Sequence, residues 1–168
     1  MSFFSANLDT LRRLYINQLQ MLLSTEQQMK EALPKMIEKA TDNQLKQAFQ
    51  SHLQETEVQV LRVEQILKEV TERAKSTECK AVAALIEEGD EMIEDASDES
   101  VRDAALIATA QRVERYEIAA YGDVHRFAQI LGDLSQVELL DETISEERHA
   151  DHLLTRIANR ISRYAEAA

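Results

Sequence analysis

The chain has 168 residues, room for a single domain with a substantial core, and its three glycines, one proline and 5% aromatics are too few for a turn-rich sheet protein. Its formal net charge of −12 argues against nucleic acid or an anionic membrane as a partner, because both need a basic face. The single cysteine, Cys79, excludes an intramolecular disulfide and fits a reducing compartment. The opening Met1-Ser2-Phe3-Phe4-Ser5 has neither a basic n-region nor a long apolar run. A soluble cytoplasmic protein, all-helical, is therefore expected.

The first helix is predicted from about Ala6 to Ala40, with Ser5 as its N-cap. Leu11, Tyr15, Leu19, Leu22, Met29, Leu33 and Ile37 recur at threes and fours and form one apolar stripe. Pro34 falls inside this pattern and is expected to kink the helix or end its regular part. Thr41-Asp42-Asn43 reads as a turn and cap before a second helix that runs to about Arg73. That helix has a stripe of Leu45, Ala48, His52, Thr56, Gln59, Val63, Ile66 and Val70, polar in its middle.

A short third helix, about Cys79 to Asp95, has no clean seam and is expected to cover one end or side of the molecule. A fourth runs from about Val101, capped by Ser100, to Leu131. Gly132 is a natural stop and Asp133 a natural cap for a fifth helix, which reaches about Tyr164 with Leu140, Ile144, Glu147, Leu154, Ile157 and Ile161 on one seam. Two long hairpins joined by a short helix describe a four-helix bundle, one domain over residues 1–168.

The chemistry concentrates on Arg112-Val113-Glu114-Arg115-Tyr116-Glu117-Ile118-Ala119-Ala120-Tyr121. Glu114 and Glu117 lie three apart, hence on one helix face, beside Ile107, Ala110, Tyr121, Val124 and Ala128. A carboxylate in an apolar seam is costly unless positive charge compensates it. Glu26 and Glu147 sit on the seams of the first and fifth helices, and Glu55 at the edge of the second. Their depths agree. Glu26 lies 15 residues before Thr41 and Glu55 14 after it; Glu117 lies 15 before Gly132 and Glu147 15 after it. At about 1.5 Å per residue, each is roughly 22 Å from its turn.

Taken singly, each glutamate reads as a side chain that snorkels or pairs with arginine. Taken together at one depth, they read as ligands of two metal ions. Di-metal bundles usually carry Glu-x-x-His on two helices. Here Val58 stands three after Glu55, where that histidine is expected, and Gln59 is the next polar seam residue. Glu146 and His149 form a literal Glu-x-x-His, but the helical wheel turns His149 away from the apolar direction. Glu147, with Asp151 one turn on, is the preferred pair. His52 reads first as a satisfied core histidine, with ligation or support of a ligand as alternatives. Oxygen-rich ligation suits iron or manganese.

These residues also resemble a known family. His52-Leu53-Gln54-Glu55-Thr56, Lys80 with Leu85-Ile86-Glu87-Glu88-Gly89, Val101-Arg102-Asp103-Ala104-Ala105, Val113-Glu114 with Tyr116-Glu117-Ile118-Ala119 and Tyr121-Gly122, and Glu146-Glu147 with Ala150-Asp151 together resemble the YciE/YciF family of bacterial stress-associated proteins, a ferritin-like branch. The resemblance spans about Leu8 to Ala158. It implies a ferritin-like bundle, a homodimer and a di-metal centre, usually assigned as iron. By motif its carboxylates fall on Glu26, Glu55, Glu114, Glu117 and Glu147, with Asp151 and Gln59 as further partners.

Three functions stay open at this point. One is redox turnover of dioxygen, peroxide or ferrous iron, with an external electron donor because the chain has no cysteine cluster. Another is metal binding without turnover. The last is a helical stress-interaction scaffold.

Overall fold

A computed structural model describes the backbone of residues 8–165 and side chains as far as Ile161. Five helices follow one another: α1 Leu11–Lys39, α2 Asn43–Thr71, α3 Lys80–Asp95, α4 Glu99–Leu131 and α5 Leu134–Ala165. Among the described residues there is no strand, and no helix is long and apolar enough to cross a membrane. α1 pairs with α2 and α4 with α5, while α1–α4 and α2–α5 contacts close the four-helix square. α3 lies along the side formed by α4 and α1.

The ends of these helices correct the sequence reading in places. α1 starts at Leu11 rather than Ala6, because the Thr10 hydroxyl accepts from Arg13 N at 3.2 Å and supplies the cap. The proposed Ser5 cap lies outside the described residues. Pro34 does not end α1, which continues to Lys39. α4 starts at Glu99, two residues early, because Asp98 and not Ser100 caps it, accepting from the amides of Ser100 and Val101. Gly132 ends α4 in the left-handed region at φ 79°, a backbone that costs glycine nothing.

α3 seats closely because it carries Gly89. A Cβ there would come within 2.2 Å of Thr109 Cγ2 on α4. The preceding linker is tied to α1: Thr77 N donates to Gln20 O, Cys79 N to Ser24 Oγ, and Gln28 Nε2 to Cys79 O. Cys79 is buried, and its thiol donates to Tyr116 Oη at 3.1 Å.

The apolar stripes meet in two core clusters. One lies toward the α1–α2 turn and includes Leu33, Leu45, Phe49, Leu106 and Val113; the other lies toward the α4–α5 turn and includes Tyr15, Leu19, Ile66, Val124 and Leu140. Buried polar side chains separate them: Thr25, Glu26, His52, Thr56, Gln59, Glu114, Glu117 and Glu147. Each helix of the square contributes to this layer.

Candidate metal centre

The layer's centre is built from three helices. His52 on α2, Glu114 and Glu117 on α4 and Glu147 on α5 each offer a ligand atom, and these atoms all lie within 4.8 Å of one another. The three-residue step from Glu114 to Glu117 puts both on one face of α4, as the helical period requires. All three carboxylates are buried, with no more than 1% of their surface exposed.

Their hydrogen bonding departs from the ordinary behaviour of buried polar groups, which nearly always find partners. Both oxygens of Glu114, both of Glu147, Oε2 of Glu117 and both ring nitrogens of His52 are buried without a hydrogen bond. His52 Nε2 approaches Glu114 Oε1 to 2.9 Å, yet the pair falls outside hydrogen-bond geometry. We read the approach as an electrostatic contact between two groups directed at a shared space.

Burial dominates the electrostatics. It pushes the carboxyls of Glu117 and Glu147 well above the carboxylate range, and neighbouring glutamates raise them further. Burial works against a charged His52, but the carboxylates of Glu114, Glu55 and Glu117 outweigh it and raise the imidazole well above its usual value. Three acids and one base packed this closely need added cationic charge to be ionised together.

Glu26 stands beside this group. It is fully buried; Tyr121 Oη donates to its Oε1, and its Oε2 has no partner. Burial lifts its pKa to about 7, against the lowering effects of the Tyr121 hydrogen bond and of His52. The same burial, with Glu26 next to it, raises Tyr121.

The other sequence candidates stand apart from the cluster. Glu55 lies at the rim, its side chain 33% exposed, with Oε2 3.5 Å from His52 Nδ1. Gln59 is buried, but its Nε2 donates to Glu146 Oε2 at 3.1 Å, leaving only Oε1 without a partner. Asp151 is half-buried, accepts from Gln111 Nε2 at 2.8 Å and lies 3.2 Å from Arg115 Nε. Glu146 is held by Arg62 in a two-point contact at 2.5 and 2.9 Å, which directs it away from the seam. His149 is exposed.

The satisfied core histidine expected at His52 is not what the structure shows. The available signal was the polar middle of the α2 stripe, where His52, Thr56 and Gln59 stand at positions that an ordinary core would fill with aliphatic side chains.

The donor set fits a bound cation. One imidazole and three carboxylates, buried, convergent and without hydrogen bonds at most of their ligand atoms, make a site that could hold a metal ion.

Comparisons with known proteins agree with this architecture. Residues 10–166 match the family described as a domain of unknown function, DUF892. Protein YciF of Escherichia coli K12 is 41% identical over 162 residues, 95% of this chain and 98% of that protein. The crystal structure of the E. coli stress protein YciF superposes with a TM-score of 0.88 at 39% identity, covering 93% of this chain and 99% of that one. YcfI from Rhodopseudomonas palustris superposes with a TM-score of 0.87 at 40% identity, over 91% and 98% of the two chains. A Xanthomonas campestris protein shares the fold at 16% identity, with a TM-score of 0.75 over 94% and 98%. The chain belongs to the DUF892 family, that of the ferritin-like stress protein YciF.

Proposed function

We propose that this protein is a di-metal carboxylate protein, with iron as its metal and manganese as the substitute, that acts in the stress response by oxidising ferrous iron or reducing peroxide or dioxygen. The observation that carries this reading is the convergence of orphaned ligand atoms from His52, Glu114, Glu117 and Glu147. In this reading those residues would hold one ion, and Glu26 would help to hold the second. Two divalent ions balance the charge of four ionised glutamates, Glu26, Glu114, Glu117 and Glu147. The stress role rests on the relative named as a stress protein.

When bound, the pair supplies two one-electron couples, enough to reduce hydrogen peroxide to two waters with two protons. The chain's own residues do the rest. Tyr121 fixes the rotamer of Glu26 through its hydroxyl and keeps that carboxylate aimed inward. Arg62 and Gln59 hold Glu146 out of the seam, so it does not compete with Glu147. The two apolar clusters above and below keep bulk water from the carboxylates. Val58, where many di-metal bundles carry a histidine, is 46% exposed and faces outward. The imidazole comes instead from His52, so the second helix supplies its nitrogen from an earlier turn. Electrons come from an external donor, because Cys79 is the chain's single cysteine.

The test is anaerobic loading with ferrous iron followed by hydrogen peroxide. Peroxide consumption and ferric absorbance well above those of free ferrous iron are expected. Bound iron without such turnover would favour the second reading, a sequestering protein. A homodimer, the state the family resemblance implies, encloses no volume for a mineral core, and sedimentation tests that state.

A further inference from the structure

One narrow cleft between α2 and α5 reaches inward as far as His52, at the edge of the carboxylate seam. Its volume is about 60 Å³, and it is lined by Phe49, His52, Glu55, His149, Ala150 and Leu153 among others. A space of that size admits a few waters, a diatomic molecule or a bare cation, and no organic substrate. Its walls combine the apolar side chains of Phe49, Ala150, Leu153 and Leu154 with the polar Ser51 and His52. Its mouth carries two side chains of ligand type, the partly exposed Glu55 and the exposed His149.

His52 forms the inner wall of the cleft. It is only 6% exposed, and neither ring nitrogen has a hydrogen-bond partner. The two nitrogens point to different places: Nδ1 lies 3.5 Å from Glu55 Oε2 at the rim, and Nε2 lies 2.9 Å from Glu114 Oε1 in the seam. The ring thus spans the partition between cleft and carboxylates, with one donor atom on each side. A structural histidine in a core would satisfy at least one nitrogen with a backbone or hydroxyl partner.

We propose that this cleft is the entry port for the metal ion itself. A divalent cation is first held at the rim by Glu55 and His149. It then passes along His52, from the rim-side Nδ1 to the seam-side Nε2, as it descends to Glu114. The chain's net charge of −12 draws cations to the surface, and the rim carboxylate focuses them at one opening. Glu55 is thereby a delivery residue rather than a resident ligand. The port rests on the metal-centre reading above.

The test follows cobalt(II) uptake by stopped-flow absorbance of its d–d bands, in the full chain and in the double variant Glu55→Gln/His149→Gln. Both positions are at the rim, so the fold is retained; far-UV circular dichroism checks this. Uptake by the double variant is expected to slow at least about tenfold, the lower end of the range by which focused charge raises on-rates, with the same final cobalt content. Glu91→Gln, which removes a surface charge on α3, should load at the rate of the unmodified protein. An unchanged rate in the double variant would overturn the port. So would a reduced final cobalt content, which would make Glu55 a resident ligand, or an equal slowing in Glu91→Gln, which would make net charge the cause. Failure of the unmodified protein to take up cobalt would sink the metal-centre reading, and the port with it.

Discussion

Helix α4 carries buried carboxylates at two levels, and they are treated oppositely. Near its N-terminal end Asp103, 3% exposed, accepts from Thr41 N at 2.8 Å, Thr41 Oγ1 at 2.7 Å and Asp42 N at 2.8 Å. It clamps the turn between α1 and α2, and Asp42 in turn caps α2 and binds Arg160 at 2.6 and 2.8 Å. Three and four turns further along the same helix, Glu114 and Glu117 leave three of their four carboxylate oxygens without a hydrogen bond, with His52 alone close to Glu114. One carboxylate is buried to hold a fold together and has been given donors. The others are buried among further acids, with no hydrogen-bond donor and with His52 as a basic neighbour. A buried anion without donors is stable only when something else supplies the positive charge, which is the role assigned here to metal.

The largest expected effect breaks the first half of this comparison. Asp103→Ala strands two backbone amides and a hydroxyl, and should lower unfolding free energy by about 3–5 kcal/mol in urea denaturation. Next, the two regions should respond to pH with opposite sign. Arg160 and the α2 amides hold Asp42 below its usual value, so its contribution is present above about pH 4 and is lost as pH falls below that. In metal-stripped protein the seam acts the other way. Glu26 rises from 4.5 to about 7, and Glu117, Glu147 and His52 also rise, so the folded state holds more protons than the unfolded one. Melting temperature of that form should therefore fall as pH climbs from 4.5 through about 7, and metal should flatten the slope.

Smaller effects sharpen the second half. Glu117→Gln should stabilise the metal-stripped protein by about 1–3 kcal/mol, because a mutually repelling buried acid is gone. The same change should remove most of the rise in melting temperature that iron confers on the unmodified protein. Tyr121→Phe deletes the one donor of Glu26, a change of about 1 kcal/mol in stability. Its clearer mark is a shift of Glu26 above its value of about 7, read from the protonated-carboxyl infrared band.

The helices and the seam glutamates were legible because both rest on local periodicity. Glu114 and Glu117 declared themselves by a three-residue step inside an apolar stripe, and Glu147 by its place on the α5 wheel where its neighbour Glu146 has none. The structure's pairing of Glu146 with Arg62 gives the physical reason for that difference. What was not legible depends on partners distant in sequence. Asp103 meets a turn some 60 residues away, and no pattern within α4 distinguishes its satisfied state from the orphaned one of Glu114. His52 stood out only as a polar gap in a stripe; its approach to Glu114 on α4 depends on how the bundle packs. Asp151 followed Glu147 by one turn on paper, but Gln111 and Arg115 draw it to the edge of the helix pair. The choice of Asp98 over Ser100 as the α4 cap shows a smaller version of the same limit, since both residues have capping chemistry and two residues separate them.

The most direct test of the central claim is elemental analysis of protein purified without chelators and without a metal-binding tag, beside a Glu114→Ala/Glu147→Ala control. About two iron or manganese ions per chain, lost in the control, is the predicted result. A folded protein that holds no metal, even after anaerobic loading with ferrous iron, would contradict it and leave a helical scaffold with an unfilled acidic seam.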